Sequence, residues 1–94
     1  MKMKPSELIA DRKRWTTGMY AADEKKRSVH VDSPEACAWC AVGAIHRCCS
    51  NYEEVILAAC DKAYELYEEP FMSMLNDGPD GHRRVLRVLR AIGQ

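Results

Sequence analysis

The sequence lacks any long hydrophobic run, and no stretch approaches the ~20 apolar residues that a membrane-spanning helix requires. Its basic first residues are followed by charged residues rather than by the apolar core of a secretion signal. We therefore expect a cytoplasmic protein that does not use a membrane as its partner.

Motifs of phosphate binding and of zinc proteolysis are also missing. The chain contains no G-x-x-x-x-G-K-[ST], no G-x-G-x-x-G and no H-E-x-x-H. Its formal net charge is +0, whereas strong non-specific nucleic-acid binding needs a basic field. The cysteine count, 5, is odd, so one chain cannot form a complete set of disulfides, and we expect reduced thiols. No cofactor and no metal ion are predicted.

The most informative segment that is present covers residues 37–45, an almost uncharged run of small side chains with one tryptophan, two cysteines and a glycine. Ser33 followed by Pro34 is typical of a helix start, so we predict a central helix at about 34–49. Its apolar residues spread well beyond one stripe. This pattern indicates a buried helix that the rest of the domain contacts from several directions.

The remaining pattern predicts a mainly α (α+β) fold in one compact domain spanning residues 1–94. Helical periodicity indicates about four helices, and alternating residues on both sides of a charged turn indicate a small N-terminal two-stranded β-hairpin. The predicted elements are a helix at about 5–14, a hairpin at about 17–31, helices at about 34–49 and 52–68, a short turn at about 71–75 and a helix at about 80–92.

Cys40 is the residue with the most chemical alternatives. It forms a C-x-x-C pair with Cys37, but Cys37 falls about one turn inside the predicted helix, where the dipole effect on a thiol fades. A metal site made from this helix alone is excluded, because Cys37 and Cys48 are ~16 Å apart along it and zinc–sulfur bonds are ~2.3 Å. We favour a buried structural thiol.

A nucleophilic Cys40 is the alternative that we keep. It would need a histidine as general base, oriented by Asp77 or Asn76. The sequence does not indicate which histidine would approach it. The candidates are His30, His46 and His82.

The best candidate binding surface is the basic side of the last predicted helix. Arg83, Arg87 and Arg90 share one side at spacings of i, i+4 and i+7, Arg84 is adjacent, and residues 81–94 contain no acid. Such a ridge fits phosphates or an acidic protein surface. The alternative is a solvated face that pairs with the acidic third helix, at only ~0–1 kcal/mol for each exposed pair.

Three segments carry a resemblance to a known family. They read W-T-T-G-M-Y-A at 15–21, A-W-C-A-V-G-A at 38–44 and L-N-D-G-P at 75–79. In these segments the chain resembles the small bacterial and phage proteins of domain-of-unknown-function family 6197, whose pattern runs W-T-x-G-x-Y-A, W-C-A-x-G-A and N-D-x-P. The resemblance implies a compact, mainly helical domain that occurs in actinobacterial and phage or prophage genomes, and it implies no established activity.

The chain departs from the family pattern at the entry to the last helix. Asp80-Gly81-His82-Arg83 stands where the family has a threonine cap with a glutamate three residues on. This entry is more basic than the family version.

From these observations we expect a small non-enzymatic binding protein. Its setting would be phage-associated, as an accessory or host-interference factor such as an anti-CRISPR protein, acting in the host cytoplasm. The partner would be a host protein or ribonucleoprotein complex bound through the basic C-terminal helix. Alternatives are a cysteine-dependent enzyme using Cys40 and a structural component of a larger assembly. The residues assigned structural roles are Trp15, Trp39, Cys40, Gly43, Asn76 and Asp77, of which all but Trp39 are expected to converge where the helices meet.

Overall fold

The computed structural model describes residues 3–94 and confirms a mainly α fold with a small antiparallel sheet. The helices predicted at 52–68 and 80–92 correspond to helices at Tyr52–Tyr67 and Gly81–Ala91, and the turn predicted at 71–75 is a short helix at Met72–Asp77. Within residues 3–94 no helix is both long and apolar enough to span a membrane. In chain order the elements are α1 (Pro5–Leu8), a 3₁₀ turn (Arg12–Arg14), β1 (Ala21–Ala22), β2 (Ala38–Trp39), α2 (Ala41–Cys48), α3 (Tyr52–Tyr67), α4 (Met72–Asp77) and α5 (Gly81–Ala91).

The helix predicted at 5–14 is wrong in its extent, because the α-helix ends after Leu8. Ile9 follows in a non-helical conformation and is fully buried. Asp11 then starts a separate 3₁₀ turn, since its carboxylate accepts a hydrogen bond at 2.9 Å from the N–H two residues further on. A local side-chain hydrogen bond of this kind offers the backbone an alternative to continuing the helix. The break allows Trp15 to lie extended and to form a bridge with β2.

The small sheet pairs β1 with β2 in antiparallel register, with Ala21 opposite Trp39. The hairpin predicted at 17–31 is therefore wrong in its pairing, since β2 lies outside that segment. Its two arms are joined by an isolated bridge between Ala22 and Ser28. The true partner strand comes from the segment that was assigned to the central helix.

The turn after β1 explains why the local hairpin does not extend. Asp23 is buried, and its carboxylate accepts hydrogen bonds from the N–H groups of Lys25 and Arg27, each at 2.9 Å. The Arg27 guanidinium also donates to it. These contacts, led by the Arg27 N–H, hold the pKa of Asp23 below its ordinary value. The carboxylate thereby occupies N–H groups that would otherwise be available for a regular ladder.

Helix α2 begins at Ala41, so the predicted start at 34 is wrong. Ser33 and Pro34 lie in a tight turn that is closed by a hydrogen bond to the Ser33 carbonyl oxygen. The residues that follow pair with β1, and the Trp39 indole N–H donates to the Val31 carbonyl oxygen at 3.0 Å. Strand pairing and burial of the indole therefore override a good local start signal, because propensity is weaker than tertiary contact.

Helix α2 lies at the centre of the core and contacts α1, α3 and α4. Its Ile45 is fully buried. Helix α3 presents the small residues Ala59 and Ala63, and α5 presents Val85 and Leu89, all with no exposed area. Burial of each large aliphatic side chain contributes roughly 1.5–3 kcal/mol. Small residues at helix crossings let the helices approach closely, as the composition of 37–45 suggests for α2.

Candidate functional site

Asn76, at the end of α4, forms a buried polar junction between three parts of the chain. Its Oδ1 accepts hydrogen bonds from the Trp15 indole N–H at 2.7 Å and from the Ala41 N–H at 2.9 Å. Its Nδ2 donates to the Thr16 carbonyl oxygen at 3.0 Å. Asn76 is only 1% exposed. A single side chain thus joins the 3₁₀ segment, the start of α2 and α4.

Asp77 extends this junction to the surface. Its Oδ1 accepts a hydrogen bond from the Gly18 N–H at 3.2 Å and one from Asn76 Nδ2 at 3.0 Å. Gly18 has a φ of +75°, which favours glycine at this turn. Asn76 and Asp77 together hold the loop of residues 16–20 against the helices.

Cys40 is the N-cap of α2 and lies beside this junction. Its Sγ accepts a hydrogen bond from the Gly43 N–H at 3.3 Å, and the residue is 7% exposed. Burial raises the pKa of the Cys40 thiol above its ordinary value, and this effect outweighs the hydrogen bond from Gly43, which lowers the pKa. A thiolate is therefore disfavoured here. The thiol acts in place of the hydroxyl or carboxylate that usually caps a helix.

Gly43 lies where the loop crosses α2. A Cβ at this position would overlap the carbonyl oxygen of Tyr20, which is a backbone atom. Tyr20 O also accepts the Cys40 N–H at 3.2 Å. The backbone of the 16–20 loop thus occupies the space beside Gly43, a residue for which the sequence predicts a structural role.

A cleft of about 240 Å³ opens beside the junction. Cys40 and Asp77 both line it, so the two residues of the enzyme alternative do share a surface. The remaining lining residues are Gly18, Met19, Tyr20, Ser73 and Asn76. The loop residues Met19 and Tyr20 and the α4 residue Ser73 were not predicted as site residues, because nothing in their local pattern places them together.

The three histidines have other contacts. His82 Nε2 lies 2.7 Å from the Ile9 carbonyl oxygen, and His46 stacks on Tyr52 with ring centroids 4.1 Å apart. His30 Nδ1 accepts a backbone hydrogen bond in its own turn. None of these rings contributes to the lining of the cleft. Within residues 3–94 there is also no group of three His, Cys, Asp or Glu side chains that could hold a metal ion.

We expect Cys40 in the folded protein to react with iodoacetamide at neutral pH at least about tenfold more slowly than the half-buried Cys37 and Cys60, because a buried thiol is protonated and shielded. Burial also raises the pKa of Cys48 to about 11, so Cys48 should be slow as well. Mass spectrometry of tryptic peptides after timed labelling measures each rate.

Labelling in denaturant is the control, since all the cysteines should then react at similar rates. Selective rapid modification of Cys40 in the folded protein would contradict the structural role and favour the nucleophile.

The basic side of α5 is the second candidate surface. Arg83 is exposed and pairs with Asp80, the N-cap residue of α5, which lies in the left-handed region with a φ of 56°. The hydrogen bond from Arg83 holds the pKa of Asp80 below its ordinary value, and Arg12 of the 3₁₀ turn adds to this effect. Cations from two separate segments therefore surround the start of α5.

The ring of Tyr67, at the end of α3, contacts the guanidinium groups of two arginines of α5. The Arg84 guanidinium lies 4.8 Å from the centre of its ring and that of Arg87 lies 5.7 Å away. Arg87 Nη1 also lies 3.4 Å from the Tyr67 hydroxyl oxygen. The Arg84 Nε is buried and has no hydrogen-bond partner among the described residues. Tyr67 is half-buried, and its ring lies against both guanidinium groups.

The acids of α3 do not neutralise these arginines. Across residues 3–94, no ion pair joins α5 to α3, and the ion pair within α3 is between Lys62 and Glu65. Arg87 and Arg90 are both exposed. The predicted ridge is therefore present on the surface, and Asp80 at its start is the acid paired with it.

The fold and the junction define a small α-helical domain with a two-stranded sheet, built around a central helix capped by a cysteine. Residues 5–94 match the model of a family of unknown function, DUF6197, and the chain belongs to this family. The three segments that carried the resemblance meet at the Asn76 junction and its cleft. Comparison with curated proteins and with solved structures gave no match.

Proposed function

We propose that this protein is a non-enzymatic binding protein whose α5 arginines engage an acidic surface on a partner protein. The observation that supports this most directly is that Arg87 and Arg90 are exposed on α5 and that, among the described residues 3–94, no ion pair joins α5 to the neighbouring acidic helix α3. Leaving these arginines exposed to solvent contributes little to folding, since exposed pairs are worth only ~0–1 kcal/mol even where they form. An external acidic partner gives them a role.

A protein partner is favoured over a nucleic acid by the distribution of charge. The chain has as many acidic as basic residues, and α5 packs against α3, a helix with an excess of acidic residues. The phosphate backbone of a nucleic acid would therefore be attracted by the arginines of α5 and repelled by the neighbouring acidic helix. A protein surface with a local acidic patch can match the arginines and avoid the acids, which is how charged surfaces achieve specificity.

The more specific form of the proposal is a phage-associated accessory protein that acts in the host cytoplasm. Interference with a host defence complex, such as an anti-CRISPR activity on a ribonucleoprotein, is the concrete case. The small size of the chain, the arginine side of α5 and the genomic setting implied by the family resemblance support this form.

The test is capture from host lysate with the tagged protein, followed by quantitative mass spectrometry. We expect the triple variant Arg83→Gln, Arg87→Gln and Arg90→Gln to lose at least about fivefold in capture of the specific partner. The partner should also be released by salt, because exposed charge pairs are screened.

A control variant with the same change in charge carries glutamine at three other exposed cations, Lys25, Lys26 and Arg47. It should capture the partner like the natural protein, and circular dichroism should show both variants folded. Equal capture by the triple arginine variant and the natural protein would refute the proposal. Capture that is abolished by nuclease would replace the protein partner with a nucleic acid.

A further inference from the structure

The cleft beside the Asn76 junction has apolar walls and one charged residue. Met19, Tyr20 and the Cys40 thiol line it. Among the described residues of its lining, Asp77 is the one that carries a charge. Binding pockets typically combine apolar and aromatic walls with a few precisely placed polar groups. The cleft has this composition.

The Asp77 carboxylate is held in one orientation, and one of its oxygens is unused. Oδ1 accepts hydrogen bonds from the Gly18 N–H at 3.2 Å and from Asn76 Nδ2 at 3.0 Å. Oδ2 accepts no hydrogen bond from residues 3–94, and no cation in that range forms an ion pair with Asp77. A carboxylate fixed in this way is a strong acceptor for a charged donor, because charge-assisted hydrogen bonds are roughly twice as strong as neutral ones.

The charge of Asp77 acts on the interior of the cleft. The pKa of the Cys40 thiol is raised mainly by burial, and the negative charge of Asp77 adds a smaller effect in the same direction. No lysine or arginine is among the described residues that line the cleft. The cleft therefore attracts a cation rather than an anion.

The size of the cleft fits one side chain. Its volume, about 240 Å³, is below the ~300–1,000 Å³ of pockets that hold drug-sized ligands. Ser73 lies four residues before Asp77 and also lines the cleft, so these two polar side chains come from the same side of α4. The Ser73 hydroxyl can accept a second hydrogen bond from a group that Asp77 binds. The cleft therefore fits a slender apolar chain that ends in a cation.

The hydrogen bonds of Asp77 favour an ammonium group over a guanidinium group. Arginine binds a carboxylate best through two parallel hydrogen bonds, one to each oxygen. Gly18 and Asn76 already donate to Oδ1, so this two-point contact is not available. The ammonium group of lysine is compact and needs only one oxygen. Lysine is therefore the cation that the free Oδ2 matches.

Exposed apolar side chains around the cleft favour a lysine carried by a protein over a free amine. Tyr20, in the lining, is 61% exposed. Phe71 and Met74, on either side of Ser73 in the sequence, are 61% and 60% exposed. Large apolar side chains exposed beside a pocket are typical of protein contacts. A free amine would leave them in water, whereas the protein surface around a lysine can cover them.

We propose that the cleft binds the side chain of a lysine presented by a partner protein. The lysine Nζ donates to Asp77 Oδ2, and the alkyl chain lies along Met19 and Tyr20. Lysine side chains readily bury this chain against apolar surface, and an ammonium group beside a tyrosine ring gains a cation–π contact. None of the α5 arginines lines the cleft, so the inference goes beyond the proposed function and does not depend on it.

The experiment is an NMR titration of the ¹⁵N-labelled protein with short peptides. Each peptide is acetylated and amidated and has two glycines on either side of a central lysine, norleucine or arginine. The lysine peptide should shift the amide signals of Gly18, Ser73 and Asp77 with millimolar affinity. Norleucine has an apolar chain without the ammonium group, and its peptide should bind about fivefold more weakly, which is the upper range for one exposed ion pair. The arginine peptide should also bind more weakly than the lysine peptide.

Two variants separate the charge from the apolar wall. Asp77→Asn keeps an acceptor for the Gly18 N–H but removes the charge, so it should reduce binding of the lysine peptide to the level of the norleucine peptide. Tyr20→Ala removes part of the wall and should weaken both peptides. The matched control is Asp61→Asn, the same substitution at an exposed position of α3, which should leave lysine binding unchanged. Circular dichroism should show all three variants folded.

Four results would each overturn the inference: no shifts at the cleft, equal binding of the lysine and norleucine peptides, equal or tighter binding of the arginine peptide, and lysine binding that survives Asp77→Asn. Tighter binding of butylammonium than of the lysine peptide would also overturn it, because the ligand would then be a free amine. The triple arginine variant should bind the lysine peptide like the natural protein. Failure of the lysate capture and failure of this titration are therefore separate results.

Discussion

Replacing Gly43 by alanine is expected to lower the free energy of unfolding by about 3 kcal/mol, despite the better helix propensity of alanine. The added Cβ would overlap the Tyr20 carbonyl oxygen, which belongs to the backbone and cannot rotate away. That oxygen also accepts the Cys40 N–H, so moving the loop would disrupt the start of α2. Thermal denaturation followed by circular dichroism should show a loss of more than about 10 °C in Tm.

Gly93→Ala is the control for this variant. Nothing lies within 4 Å of a Cβ at Gly93, but its φ of +79° strains any other residue. We expect a cost of about 1 kcal/mol there, from backbone strain alone. Equal stability of the Gly43 variant and the natural protein would show that the loop does not pack on α2 as described.

Replacing Asn76 by alanine is expected to cost about 3 kcal/mol as well, for a different reason. The change removes the acceptor of the Trp15 indole N–H and of the Ala41 N–H, and the donor to the Thr16 carbonyl oxygen. Each buried polar group that loses its partner costs about 1–3 kcal/mol, and partial hydration from the adjacent cleft offsets part of the total. Urea denaturation measures the loss.

Asp77→Asn is the neighbouring control, because Asp77 is exposed and an amide oxygen can still accept the Gly18 N–H. We expect Asp77→Asn to lower the free energy of unfolding by about 0.5 kcal/mol, as is usual for a substitution at the surface. A double-mutant cycle between Trp15→Phe and Asn76→Ala should give a coupling of about 1 kcal/mol. An Asn76 variant as stable as the Asp77 variant would contradict the role of Asn76 as a junction.

Helices α3 and α5 could be predicted from the sequence because each carries a clear apolar stripe with solvated residues opposite. In α5 the stripe includes Val85, Val88 and Leu89, and all three are fully buried. The start of α2 could not be predicted in this way. Ser33 and Pro34 are good start signals, but they are followed by residues that pair with β1, a contact between segments distant in sequence.

The candidate site, too, could be predicted from the sequence only in part. The sequence assigns structural roles to Trp15, Cys40, Gly43 and Asn76. Trp15 and Cys40 lie beside Asn76, and Gly43 lies where the 16–20 loop crosses α2. The backbone hydrogen bonds of Thr16 and of the loop could not be predicted, because every residue type has a backbone carbonyl group and the sequence does not show where it points. The arginines that lie over the Tyr67 ring could not be predicted either, since helical phase does not reveal contacts with another helix.

The sequence by itself determined the elements whose residues interact at short range: the apolar stripes of α3 and α5, the charge asymmetry between them, and the small-residue character of α2. These follow from helical periodicity and composition, which are local properties. Only the tertiary structure decided the strand pairing, the capping of α2 by Cys40 and the position of two arginines over the Tyr67 ring. Those features depend on contacts between distant segments, whose energies exceed the local preferences that a sequence pattern displays.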